Sequence, residues 1–330
     1  MQTTTLGPFA DISRLTLGGG GLGQLWGETD QGEAIATLKE AVDSGITLID
    51  TAPLYRDCEA VIGAGFGGAL PSGVRITSKV YLGSPPVGEA EARITASLDA
   101  TLATMQLERV DLYFLHTNIC PDDYVYASYA HRQDRFATRW SVYADEVIPA
   151  MQRLVGQGRI GAWGITGVGV PATIHAAIAH TPSPRVVQAV ANLLDSAGGM
   201  RSFAEPAEPR EIIAAAKAAG AGVMGIRAVQ AGALTARIDR DLPADHPETL
   251  DYVRAAPFRA LCAELGEDPA MLAHRYALSM EGVDTVILGV KNREELRQCV
   301  EVERQGPLPA DLIAQIDGLG FTRPASADSG

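Results

Sequence analysis

Asp50, Lys79 and His116 stand at matching places in the chain, each closing a short segment rich in apolar residues. Asp50 ends the run Ile46-Thr47-Leu48-Ile49, Lys79 follows Arg75-Ile76-Thr77-Ser78, and His116 ends the run that begins at Val110. Tyr55 comes five residues after Asp50, across the turn Thr51-Ala52-Pro53. A carboxyl group at the end of a buried strand is costly unless paired, and it serves proton handling better than stability. A phenol titrates near ~10 and is a poor acid at neutral pH. A neighbouring ammonium stabilises the phenolate, so Lys79 is expected to bring the Tyr55 value down, while Asp50 holds and orients Lys79. His116 offers an N–H to position a carbonyl oxygen beside Tyr55. Together the four residues suit proton transfer coupled to charge change at a carbonyl. No side chain among them donates hydride, so a reduction needs a cofactor.

The elements that carry these residues alternate. Hydrophobic patterning predicts strands over residues 15–20, 46–50, 75–79, 110–116, 161–165, 186–190, 223–226 and 285–288. Helices are expected over 33–43, 58–65, 89–105, 146–155, 171–179, 210–219, 271–278, 292–301 and 311–319. The stripe Ile94, Leu98, Leu102 and Met105 has helical period, and Pro171 suits a first helical turn. TTTL and SRLTLG flank GPFADI, which predicts a small N-terminal hairpin. Eight βα units in 330 residues predict an α/β fold, a closed (β/α)8 barrel forming one domain, with a doubly wound open sheet as the alternative. In such a barrel Asp50, Lys79 and His116 end the second, third and fourth strands and point at one spot. Two connections, 117–143 and 228–256, are too long for turns and fall on that same face, where loops become lids and pocket walls. Tyr124 and Trp140, from the aromatic-rich first connection, join Tyr55 and His116 as candidate pocket residues.

Composition narrows the partners. Hydrophobic residues at 46% and charged residues at 20% describe a soluble globular chain with ample core. A net charge of −13 argues against nucleic acid or an anionic membrane, so any bound anion needs a local basic site. No apolar run approaches bilayer-spanning length. The cysteines Cys58, Cys120, Cys262 and Cys299 form no CxxC pair, and the opening MQTTTLGPFADIS has no secretory h-region; both predict a reducing, cytoplasmic setting. The histidines show no metal spacing, no metal is expected, and oligomeric state is not legible.

The run DTAPLY followed by CEAVIG resembles the D-T-A-x-x-Y-x-x-(S/C)-E-x-x-(I/L)-G signature of the aldo-keto reductases. Ser78-Lys79 and Leu115-His116 sit where that family places its other two catalytic residues. The likeness runs from LGGGGLG through GRIGAWGITG and VVQAVAN to VILGVKNREEL. It implies a nicotinamide-dependent (β/α)8 oxidoreductase, usually favouring NADPH with NADH possible, in which Asp50, Tyr55, Lys79 and His116 are the tetrad and Tyr55 is the acid. It further implies that Gln188 bonds the nicotinamide carboxamide, with Thr166 standing where the family commonly has Ser, and with Asp50 close by. Gly20, Gly21 and Leu22 would bring backbone near the reaction centre, since glycine permits close approach. GGGGLG does not have the spacing of a Rossmann fingerprint. Arg227, Gly232 and Leu234 resemble the family's pyrophosphate-side segment. Gly289, Lys291, Asn292 and Arg293 open a helix whose free N–H groups favour an anion, and the two cations suit a 2′-phosphate. Asn292 and Glu295 also read as a capping pair. Glu295 and Cys299 stand where the family often holds adenine.

The leading expectation is an NADPH-dependent reductase of aldehydes or ketones. Alternatives are an NAD(P)-dependent sugar or polyol dehydrogenase, a redox-sensing regulatory subunit of the same fold, and a Schiff-base aldolase using Lys79.

Overall fold

Two short strands open the chain. β1 (Thr3–Leu6) and β2 (Phe9–Ser13) pair antiparallel, the hairpin expected from TTTL and the residues after it. The computed structural model describes residues 1–126 and 129–321. Next come β3 (Leu15–Gly18), β4 (Leu48–Asp50), β5 (Arg75–Val80) and β6 (Val110–Leu115). A loop carries β7 (Asn118–Cys120) and β8 (Ala137–Arg139), after which β9 (Ile160–Thr166), β10 (Val186–Val190), β11 (Gly222–Ile226) and β12 (Thr285–Leu288) complete the set. β3 to β6 and β9 to β12 close into a parallel barrel, each pairing with its neighbour in chain order and β12 with β3. The open-sheet alternative is excluded.

The helices between the strands begin and end on recognisable chemistry. Asp30 caps Gln31–Asp43 by accepting from the Glu33 amide at 2.8 Å, and Asp268 with Pro269 opens Pro269–Ser279 in the same way. Cys58–Phe66 stops at Gly67, whose φ of +61° is the left-handed geometry that glycine accepts freely. Ala90–Met105 buries Ile94, Leu98, Leu102 and Met105, the stripe seen in the sequence.

Strand alternation positions the site. In β6, Leu112 and Phe114 share a cluster with Leu6 and Ile12 of the hairpin, whereas Tyr113 and Leu115 pack with the helices. β1 and β2 therefore close the bottom of the barrel with apolar side chains. The same period of two puts Leu48 inside and Ile49 outside on β4, and Ala162 inside and Trp163 outside on β9. Counting up the inward rows, Asp50, Lys79, His116, Thr166 and Gln188 are the inward positions at or near the upper ends of their strands. A shift of one residue in any of these strands would turn its group out of the barrel.

Several expected boundaries moved. The strand expected over 15–20 ends at Gly18, and Gly19–Leu22 forms one helical turn. The strand expected from Ile46 begins at Leu48, because the Thr47 amide donates to Ser13 Oγ of the hairpin at 2.9 Å. Neither long connection is plain loop. The first holds the parallel pair β7 and β8, and the second contains the helix Pro247–Arg254. Residues 127 and 128 of the first lie outside the described residues. Among the described residues no helix is long and apolar enough to cross a membrane.

Candidate active site

Lys79 is wholly buried and its ammonium uses all three of its protons. One goes to Asp50 Oδ2 at 2.7 Å, one to the Thr51 carbonyl at 2.9 Å, and one to Tyr55 Oη at 3.1 Å. Asp50 Oδ1 accepts from Thr77 Oγ1 at 2.7 Å and from Gln188 Nε2 at 2.6 Å. The carboxylate therefore ties β4 to β5 and, across the barrel mouth, to β10. Burial alone would pull the Lys79 ammonium down, but Asp50 and then Tyr55 outweigh it, so its pKa stands above the ordinary value. Lys79 stays charged.

Tyr55 sits half-buried on the loop after β4, its ring 4.5 Å from Lys79 Nζ. Since the ammonium donates to Oη, the phenol's own proton must point elsewhere, and it finds no acceptor among the described residues. Burial pushes the Tyr55 pKa above its ordinary value; Lys79 opposes this but does not overcome it. The expectation that Lys79 would bring the phenol down is thus corrected. In this structure desolvation wins, and Tyr55 holds its proton across neutral pH.

His116 is fixed by its backbone amide, which donates to the Val80 carbonyl at 2.9 Å. Tyr55 lies edge-on to the imidazole at 5.8 Å and Tyr81 at 6.1 Å. Burial, helped by Lys79, drives the His116 pKa well below its usual value, so the ring is neutral and carries a single N–H. Its Nδ1 is buried without a partner. Tyr81 escaped the sequence reading; its signal was its place two residues beyond Lys79, just past the end of β5.

The remaining site candidates divide. Thr166 Oγ1 is buried at the barrel mouth with no partner among the described residues, and the residue is 2% exposed. Gln188 spends its amide N–H on Asp50, leaving its carbonyl oxygen for a carboxamide. Gly21 faces the end of β12, where the Val290 carbonyl fills the space of a side chain, and Leu22 is buried in the core. Their close approach is therefore to protein, not to an open cradle. Over Gly20 stands the Trp26 indole, its Nε1 2.6 Å from the position of an added Cβ. Trp26 was not singled out in the sequence.

Arg227 has φ +59°, and Gln230 and Ala231 follow at +46° and +49°, a cluster of backbone strain in non-glycine residues. The Arg227 guanidinium is held by Gln230 Oε1 at 2.8 Å and Glu248 Oε1 at 2.5 Å, and the Gly232 and Leu234 amides both bond the Val229 carbonyl. At the end of β12, Gly289 lies under Trp26, Lys291 pairs with Asp239 and Glu295, and Arg293 with Glu33. Asn292 caps the helix Arg293–Arg304 through the Glu295 amide at 2.9 Å, as its sequence predicted.

Two pocket candidates are engaged elsewhere. Tyr124 donates to Glu205 at 2.7 Å and meets Tyr126 edge-to-face, and the aromatic neighbours of Trp140 are Tyr143 and His180. Among the described residues, no hydrogen bond or aromatic contact joins either to Asp50, Tyr55, Lys79 or His116. A cleft of about 610 Å³ between the helices Pro269–Ser279 and Arg293–Arg304 also contains none of the four. Among the described residues no cluster of His, Cys, Asp and Glu could hold a metal ion.

A (β/α)8 barrel with an acid, a lysine, a phenol and a neutral imidazole gathered at its C-terminal mouth defines a class of proton-transferring enzymes. Residues 14–320 match the Aldo/keto reductase family, and the chain belongs to it. It is 23% identical to L-galactose dehydrogenase of Arabidopsis thaliana over 321 residues, 93% of this chain and 90% of that protein. The fold matches the holo form of the aldo-keto reductase AKR11C1 from Bacillus halodurans with a TM-score of 0.70 at 22% identity, covering 97% and 96% of the two chains. It matches the glycerol dehydrogenase AKR11B4 from Gluconobacter oxydans equally well, at 0.70 and 21%, covering 96% and 94%. The protein is thus an NAD(P)H-dependent oxidoreductase that interconverts a carbonyl and an alcohol.

Proposed function

We propose that the protein reduces a small aldehyde or ketone, with Tyr55 as the proton donor. The observation that carries this is the hydrogen-bonded chain from Asp50 through Lys79 to Tyr55, which leaves the phenol proton free to face the mouth. When bound, the nicotinamide supplies hydride to the carbonyl carbon. Tyr55 gives its proton to the carbonyl oxygen, and the adjacent ammonium stabilises the phenolate left behind. The neutral His116 ring lies beside Tyr55 and can donate its N–H to the same oxygen, fixing its place. Thr166 and Gln188 would hold the carboxamide, and an unpartnered buried hydroxyl beside a free amide oxygen fits that group. Arg227, Gly232 and Leu234 would face the pyrophosphate. Lys291 and Arg293 are the cations a 2′-phosphate would meet, and both already face carboxylates.

The reverse reaction, oxidation of a sugar or polyol, is favoured by the likeness to L-galactose dehydrogenase. It needs Tyr55 as a base, and burial keeps the phenol protonated at neutral pH, so oxidation should speed up towards alkaline pH. Four buried, unpaired cysteines suit a reducing compartment such as the cytoplasm. Tyr55→Phe should bind nicotinamide cofactor like the parent yet lose about 10²–10⁴-fold in turnover of an activated aldehyde. Full turnover in that variant would remove Tyr55 from the role.

A further inference from the structure

The cations Lys291 and Arg293, with the N–H groups of the helix they open, suggest a 2′-phosphate site at the end of β12. The structure surrounds both with carboxylates. Lys291 Nζ lies 3.0 Å from Asp239 Oδ2 and 3.2 Å from Glu295 Oε1, and its amide donates to Glu295 Oε2 at 2.9 Å. Arg293 meets Glu33 three ways, through its amide at 2.9 Å, Nε at 3.2 Å and Nη2 at 2.9 Å. The donors that a helix N-terminus offers an anion are largely taken too: the Arg293 amide by Glu33 and the Glu295 amide by Asn292. Glu294 adds another acid in the first turn. Two cations therefore stand among Asp239, Glu33, Glu294 and Glu295.

Ion pairs this exposed are individually weak, so a ligand could pull Lys291, 25% exposed, or Arg293, 44% exposed, away from its partner at small cost. The carboxylates left behind decide the outcome. A phosphate monoester carries close to two negative charges at neutral pH and would lie against them, in a chain whose net charge is already −13. A ribose with free 2′- and 3′-hydroxyls carries no charge and donates hydrogen bonds to a carboxylate, the arrangement by which dinucleotide sites select the unphosphorylated cofactor.

We infer that the adenosine end of this site selects NADH over NADPH, with Glu295 and Glu33 as the residues that exclude the 2′-phosphate. The inference rests on the nicotinamide-dependent reading above and concerns only its phosphate end. Glu295 is the sharper determinant because it holds Lys291 by both backbone and side chain. Glu33 reaches the same helix from Gln31–Asp43 and occupies its first amide.

Direct titration of the purified protein with NADH and with NADPH, read by quenching of tryptophan fluorescence, tests this without any turnover. Trp26, over Gly20 and Gly289, is a built-in reporter. The expected result is NADH binding at least about tenfold tighter than NADPH at low salt. In the double variant Glu33→Gln/Glu295→Gln, whose amide oxygens still accept from the Arg293 and Lys291 backbone, NADPH should tighten by about tenfold or more while NADH changes by less than about threefold. Equal or tighter NADPH binding by the parent overturns the inference while leaving the oxidoreductase reading intact. An unchanged NADPH to NADH ratio in the double variant overturns the assignment to these two residues. Failure to bind either dinucleotide defeats the nicotinamide reading and this inference together.

Discussion

Lys79 and Lys291 are both lysines held by carboxylates at the upper end of the barrel, and they differ in burial. Lys79 has 0% of its side chain exposed and one ion-pair partner, Asp50; Lys291 has 25% exposed and two, Asp239 and Glu295. Counting partners would rank Lys291 as the more firmly bound. Physical chemistry ranks them the other way. Out of water, Lys79 has no alternative to its three protein acceptors, and together they aim one of its protons at Tyr55. Lys291 can exchange its partners for water, so its neighbourhood contributes selectivity more than rigidity. One region is built to hold a proton in place, and the other to choose what docks.

Burial without a hydrogen-bonded charged partner supplies a third case. His274 is 5% exposed with Nδ1 unpartnered, and burial, opposed only in part by Asp268, lowers its pKa to about 4. Lys79, equally enclosed but paired, moves upward instead. The pairing, not the burial, decides the sign.

Lys79→Met should show the largest effect, because it leaves the Asp50 carboxylate buried with only Thr77 and Gln188. Urea unfolding should register a loss of about 3–5 kcal/mol. The His274 effect comes next and depends on pH. Below pH 6.5 the unfolded chain takes up a proton that the folded ring refuses, so stability should fall as pH drops from 6.5 towards 4. The part due to His274 is about 3 kcal/mol, and His274→Gln should flatten that part of the slope. Arg227→Met breaks a pair whose side chains are 11% and 6% exposed, and should cost about 2 kcal/mol by the same urea assay. Lys291→Met should lie below about 1 kcal/mol. Equal losses for Lys79→Met and Lys291→Met would break the comparison.

Much of the barrel could be read from the chain because its local signals agree with its packing. The strands Val186–Val190 and Thr285–Leu288 and the helix Pro171–Ala179 fall on the expected residues, bounded by proline, charge and apolar runs that need no distant partner. The convergence of Asp50, Lys79 and His116 was legible for a related reason: strand period and strand end together fix which residue tops each inward row. What escaped depends on contacts far apart in sequence. The aromatics of 117–143 suggest a pocket wall, but Tyr126 meets Tyr124 and Phe136 edge-to-face at 5.0 and 4.9 Å and forms a small separate core with Cys120, Val168 and Phe203. Pairing of β7 with β8 brings that core together, and no periodicity announces it. The helix Pro247–Arg254 did leave a signal, proline at its first turn followed by Glu248, that went unread. The shift of Tyr55 runs against the sequence expectation because desolvation of the phenol outweighs the Lys79 ammonium, a balance set by the folded surroundings and not by the order of residues.

The pH dependence of kcat/KM for aldehyde reduction tests most directly whether Tyr55, and not His116, gives the proton. With Tyr55 above its ordinary value near 10 and His116 neutral well below 6.5, the rate should stay level from about pH 6 to about pH 9 and fall only in the alkaline range. A rate that instead declined as pH rose through the acidic range below 6.5, and was lost by neutral pH, would assign the proton to the histidine and contradict this account.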